Sequence, residues 1–330
     1  FRGFTPEILN TEKPMDVALL ASSARSLVMP PPDPWFAGQP INYYYLGYLL
    51  HGSLARLAGV AAPTAFNLAL ASIFSMTAVA SFGLAWNVVR PWFGRIAATG
   101  AGGLALIGVV LAGNLYAPVR LLQDPQAVWN AWWWDSDGIG WRASRIVCDG
   151  AREGFRCPPS AVETINEFPA FSFILGDLHP HLMALPFAVT VVALAWNVFA
   201  APAGSLVSWA WTARLALAAA VSGALYALNA WDLPTYTGLL LIAALLAGGP
   251  ALASRMRAAA VVIAAALLPW LPFFATYRPP LVPLGGVEPA WLAEMPLVSR
   301  LMGLVAPYLG VRTSAAEYLT MFGLPYLVGL

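Results

Sequence analysis

Charge is what this sequence has least of. Only 10% of its 330 residues are Asp, Glu, Lys or Arg, against about 25% in soluble domains. Apolar residues make up 59%, and mean hydropathy is +0.69. A chain with so little polar surface argues against a water-soluble enzyme, a disordered tail or a nucleic-acid binder, and points to a polytopic helical membrane protein. Lysine occurs once, at Lys13, and there are three histidines and two cysteines. The signatures G-x-x-x-x-G-K-[ST], G-x-S-x-G and H-E-x-x-H are missing, so the usual phosphate-loop, serine-elbow and zinc-protease readings have no starting point. Few ionisable residues fall inside apolar runs. Arg214 lies near the end of one, where its side chain can reach the interface, and an ion-coupled transporter is expected to bury more charge.

What is abundant is apolar length. Stretches of about 20 apolar residues run over 66–89 and 96–119. Others begin within 168–185 and continue to about 200, then cover 207–228, 233–249 and 258–275, with a partial seventh beyond Arg300. The expectation is an all-α membrane protein with six to seven transmembrane helices. Because the sequence opens at Phe1 and ends inside an apolar run, it is read as the middle of a longer membrane protein.

The few charges then report topology. Arg90 and Arg95 flank one short inter-span turn and Arg255 and Arg257 another, with no acid in either, which places those turns on the cytoplasmic side. Alternation puts 120–167, 229–232 and 278–300 outside. Every carboxylate before Glu317 then faces outward or precedes the first span. Residues 1–62 form a first outer segment and 63–330 a transmembrane domain with a long outer loop at 120–167. The apolar run 43–60 contains His51 and Arg56. It is read as an interfacial helix or helix pair, with Tyr43, Tyr44, Tyr45 and Tyr48 at headgroup level.

Three outer-face clusters carry chemistry. In TEKPMD (11–16), a short helix over 15–27 would hold Asp16 in its first turn, where a carboxylate is favoured electrostatically. A plain capping role explains that placement equally well. In NEFPAFSFILGDLHPH (166–181), Glu167, Asp177, His179 and His181 gather at the mouth of an apolar span, and ionisable groups there are costly and usually functional. Asp177, His179 and His181 suit either a divalent metal or acid/base work. In NAWDLPTY (229–236), Asp232 either caps a helix or orients a substrate. Trp129, Trp132, Trp133, Trp134 and Trp141 read as interface anchors or as a sugar-stacking platform. Cys148 and Cys157, placed outside, are open to a disulfide.

TEKPMD, DPWFAGQPINYYYLGY (33–48), EFPAFSFILGDLHPH (167–181) and NAWDLPTY together resemble the YYY-domain membrane proteins, a family of uncharacterised function. That family is in turn similar to the GT-C membrane glycosyltransferases, which use polyprenyl-phosphate sugars at the outer face. The resemblance implies a catalytic acid in the first outer loop, matched by Asp16, and surface helices before the next span, matched by 43–60. It also implies a second functional outer loop, where Glu167 and Asp177 fall. The acidic pair often found in GT-C first loops is absent: Val17 follows Asp16, and the nearest acid is Glu12. The DLHPH histidines have no general counterpart there.

The implied reaction is an inverting transfer from a polyprenyl-phosphate-linked sugar to an unknown acceptor, in an integral protein of the cell membrane with its site on the extracytoplasmic side. Asp16 and Asp177 are the catalytic candidates. Glu12, Lys13, Asp33, Tyr44, Glu167 and Asp232 are substrate-binding candidates, and membrane lipid and the lipid-linked sugar are the partners. A metal on Asp177, His179 and His181 would meet leaving-group charge. Two other classes stay open: a metal-dependent membrane hydrolase centred on those three residues, and a non-enzymatic scaffold or transporter subunit.

Overall fold

The computed structural model describes residues 2–126, 138–148, 157–158, 161, 163–201, 208–247, 251–278 and 313–329, and all named elements among them are helical. In chain order they are α1 (Lys13–Arg25), α2 (Leu46–Ala58), α3 (Ala62–Leu106), α4 (Tyr116–Gln123), α5 (Ile139–Ala143), α6 (Pro169–Leu175) and α7 (Pro180–Phe199). There follow α8 (Trp209–Leu228), α9 (Asp232–Ala247), α10 (Leu252–Leu267), α11 (Leu271–Thr276) and α12 (Ala315–Gly329). A π turn, Ile107–Leu111, prolongs α3. The chain divides into two compact units: residues 1–112 with 172–278, and 113–171 with 279–330. Residues 1–62 belong to the first unit together with the helices α7–α11.

Among the described residues, four stretches are long and apolar enough to cross a membrane: Ala62–Leu111, Pro180–Phe199, Trp209–Leu228 and Leu252–Thr276. That is fewer than the six or seven spans expected. The difference has two physical sources. Asp232–Ala247 is apolar but has only 16 residues, about 24 Å of helix, short of a bilayer core of about 30 Å. The spans expected at 66–89 and 96–119 fall largely within Ala62–Leu111, which is two helices joined at a kink. That element is not straight. Gly94 has φ 78° and ψ −176°, a conformation open to glycine because it carries no Cβ. A Cβ on Gly102 would meet the Phe82 ring at 2.7 Å. Residues 20 apart on a straight helix stand about 30 Å from each other, so the chain doubles back near Gly94, between Arg90 and Arg95. The partial seventh span beyond Arg300 lies outside the described residues up to position 312.

Large apolar side chains on these helices stay uncovered: Val79 of α3 is 72% exposed, and Leu246 of α9 and Ile263 of α10 are similarly open. Such faces are stable against lipid rather than water. Inside the first unit, α1 and α2 pack on the start of α3 and on α7 and α8 through Leu20, Tyr48, Phe66, Ile73, Leu182 and Leu225. Gly52 of α2 sits against the α1 backbone, where a Cβ would lie 2.9 Å from Ala24 N. Farther along, α7–α10 meet through Ala195, Ala219, Ala244 and Ala258, small residues that let helix backbones approach without a hydrophobic drive.

The second unit is polar-tied. Cys148 and Cys157 are disulfide-bonded, with Cα atoms 5.8 Å apart. Arg142 pairs with Glu163 at 3.0 Å, and the Asn166 Oδ1 accepts the Ile146 and Val147 N–H groups. Glu317 of α12 accepts the Cys148 N–H at 3.0 Å with one carboxylate oxygen and the Ser314 N–H at 2.8 Å with the other.

Candidate functional site

The site is built at the start of α1. Pro14 in its first turn and Asp16 behind it suit a helix N-terminus. Leading into it, Asn10 (φ 63°) and Thr11 (φ 51°) are left-handed. A β-branched residue there is strained, and such strain persists where surrounding contacts fix it. Here the Thr11 hydroxyl donates to Asp177 Oδ1 at 2.6 Å. Asp177 follows Gly176, whose φ of 76° turns the chain between α6 and α7. The strained turn before α1 and the corner before α7 are therefore clasped by this hydrogen bond and by a contact between Glu12 and His179.

Asp16 is 0% exposed. The Tyr48 hydroxyl, from α2, donates to its Oδ1 at 2.6 Å, and its Oδ2 has no regular hydrogen-bond partner. Burial pushes the Asp16 carboxyl up to about 7. The negative neighbours Asp177 and Glu12 push the same way, while the Tyr48 hydroxyl and the Leu178 backbone N–H pull it down. The Tyr48 phenol is itself raised, first by burial and then by the Asp16 charge. Lys13 is buried and donates to the Leu9 carbonyl at 3.3 Å. Burial lowers its ammonium, Asp177 and Asp16 counter that, and Arg2 adds to it. Arg2 is anchored by Asn67, whose Oδ1 accepts its Nε–H at 2.7 Å.

Glu12, at the N-cap of α1, pairs with His179 Nδ1 at 3.0 Å. His179 and His181 have ring centroids 5.1 Å apart, and His181 Nε2 lies 3.3 Å from the Ser172 hydroxyl. Among the described residues, no group of three His, Cys, Asp or Glu is placed to hold a metal. Asp177, His179 and His181 face Thr11, Glu12 and Ser172 respectively.

The other expected residues are scattered. Asp33 accepts the Trp35 and Phe36 N–H groups at 2.8 and 2.9 Å, a turn that it closes itself. Tyr44 packs between Tyr43 and Tyr277, with ring centroids 5.3 Å away on each side. Asp232 stands in the first turn of α9. Glu167 belongs to the second unit, 3.9 Å from Arg145. The tyrosines expected at headgroup level are corrected in part: Tyr48 is 0% and Tyr45 8% exposed, because α2 turns this face onto α1 and the core. Trp141 carries the Arg145 guanidinium over its ring at 4.4 Å, while Trp129, Trp132, Trp133 and Trp134 lie outside the described residues.

A fully buried acid thus stands at the start of a short helix packed on long apolar helices. The model of the family described as "Uncharacterized membrane protein (DUF2298)" matches residues 1–330. The chain belongs to that family. No curated protein and no solved structure matches it. For this DUF2298 protein the partners that sequence reasoning missed are Tyr48, Thr11, Arg2 and Ser172. Thr11 and Tyr48 lie inside the quoted motifs. Their uncharged side chains gave no signal that they would meet carboxylates.

Proposed function

We propose that this membrane protein is a glycosyltransferase that moves a sugar from a polyprenyl-phosphate donor to an acceptor hydroxyl at the extracytoplasmic face. The observation that carries this reading is Asp16: a sealed carboxyl at about 7, with one oxygen unpartnered, at the start of a helix outside the candidate spans. A general base works best when its proton affinity lies near the operating pH. In the transfer, the acceptor oxygen bonds to the anomeric carbon as the bond from that carbon to the phosphate oxygen breaks. The electron pair leaves with the polyprenyl phosphate, and the acceptor proton goes to Asp16 Oδ2. Asp177 keeps the Asp16 proton affinity high through its charge, and Lys13 is the cation nearest in sequence to meet the leaving phosphate. Because Asp16 is closed to solvent, the acceptor enters by displacing the segment ahead of α1. The arginines at 90 and 95 support a cytoplasmic turn near Gly94 and the opposite side for Asp16. Six or more crossings follow if the two arms of Ala62–Leu111 and the 16-residue α9 each cross.

The test is transfer from a radiolabelled polyprenyl-phosphate hexose by the full chain in proteoliposomes. Loss of transfer in Asp16→Asn, with membrane insertion as in wild type, is the expected result. Transfer at the wild-type rate in that variant overturns the assignment of the base.

A further inference from the structure

The far end of α7 holds a second polar feature, and it lies within the same unit as Asp16. α7 begins at Pro180, next to the acid corner, and its 20 residues rise about 30 Å. Its last turns and the first turns of α8 border a cavity of about 780 Å³, lined by Leu194, Asn197, Ser208, Trp211, Arg214 and Ala218 among others. Three observations there point to one kind of occupant. Arg214, about 7 Å into a candidate span, has no ion-pair partner among the described residues, and no acid is among the described residues lining the cavity. Trp211 is 6% exposed, and its indole Nε1–H has no acceptor among the described residues. The remaining walls are largely apolar, with Leu194, Val198 and Ala218 contributed by α7 and α8.

Arg214 is exposed, within two turns of the end of its helix, where a guanidinium reaches headgroup level, and a buried indole N–H without an acceptor carries a desolvation cost. An anionic group with an apolar body satisfies both donors and fills the walls. We propose that this cavity binds the phosphate headgroup of an anionic membrane lipid, with Arg214 as its charge partner, at the end of the bundle away from Asp16. The apolar walls and the place of Arg214 near the end of a candidate span favour a lipid over free phosphate, since a lipid also covers Leu194 and Ala218 with its chains. This site is independent of the transfer reaction.

Native mass spectrometry of the full chain in detergent tests it, with phosphatidylglycerol and phosphatidylcholine of matched acyl chains as probes. Phosphatidylglycerol is expected to be retained roughly tenfold more strongly, as a charge-assisted contact implies. Arg214→Gln abolishes the preference, and Arg255→Gln, on α10 outside the cavity, keeps it. Equal retention of the two lipids, or an intact preference in Arg214→Gln, overturns the proposal. Displacement of the lipid by millimolar inorganic phosphate does so as well, because it marks a site for the free ion. A photoactivatable phosphatidylglycerol on the wild-type chain decides the matter if Arg214→Gln does not fold. Crosslinks concentrated in peptides covering 194–218 support the site, and crosslinks spread evenly over all helices overturn it.

Discussion

Asp16 in the first unit and the carboxylates of the second are held in opposite ways. In the second, Glu163 meets Arg142 at 3.0 Å and Glu317 uses both oxygens on backbone N–H groups. Each is matched by a donor that fixes local structure. In the first, the buried Asp16 has the acids Asp177 and Glu12 as neighbours beside Lys13, takes its side-chain hydrogen bond from a phenol, and has one oxygen without a regular partner among the described residues. Matching lowers an acid's proton affinity and stabilises the fold. Mismatching raises it and costs stability. The difference separates acids that staple the chain from an acid held ready to take a proton.

The sharpest way to break this contrast is at Asp16. Asp16→Asn should reduce transfer by about 10²-fold or more and at the same time stabilise the protein at pH 8. The sign follows from the carboxyl standing near 7 in the folded chain against an ordinary 3.8. Between those values the folded state keeps a proton that the unfolded state has released. Stability therefore falls as pH rises from about 4 to about 7 and levels off above. Asparagine removes that loss, a gain on the order of a few kcal/mol at pH 8, read by denaturation of detergent-solubilised protein. A variant that is less stable than wild type at pH 8 would show that Asp16 is a matched acid after all.

Next in size is the disulfide. Replacing Cys148 and Cys157 with serine should destabilise the second unit by about 2–3 kcal/mol for so short a loop and leave the Asp16 titration, followed by infrared spectroscopy of its carboxyl band, where it was. A shift of that band would show that the two regions are coupled. Tyr48→Phe comes third: it removes the donor that pulls Asp16 down, so the carboxyl should titrate higher than about 7, with a stability loss of about 1 kcal/mol. A lower titration point would place another donor at Oδ1. Smallest is Glu163→Gln, which breaks a partly exposed pair and should cost about 1 kcal/mol or less, with no effect on transfer.

How much of this could be read in advance depends on the type of signal. The helix carrying Asp16 and the turn between Arg90 and Arg95 were legible, because a proline and an acid mark a helix start and bare arginines mark an inter-span turn. The burial of Tyr48 was not. An apolar run with tyrosines has the same pattern whether it floats at an interface or presses onto another helix, and only tertiary packing decides. Asp33, a substrate-binding candidate by resemblance alone, accepts the N–H groups of Trp35 and Phe36, a local turn that its sequence did not announce. The DLHPH histidines suggested a metal triad from spacing alone, but each of the three side chains turned to a separate neighbour. The cavity at Arg214 had no sequence signature beyond a single charge in an apolar run.

The close seat of Gly52 on α1 bears on how the corner around Asp16 would open in the proposed transfer. With Ala24 N only 2.9 Å from where a side chain would begin, the two helices are packed backbone to backbone. Asp16 and Tyr48 ride on one slab. Any movement that admits a substrate has to part that slab from the bend before α7, breaking the Thr11 and Glu12 contacts first, while the phenol stays with its acid throughout.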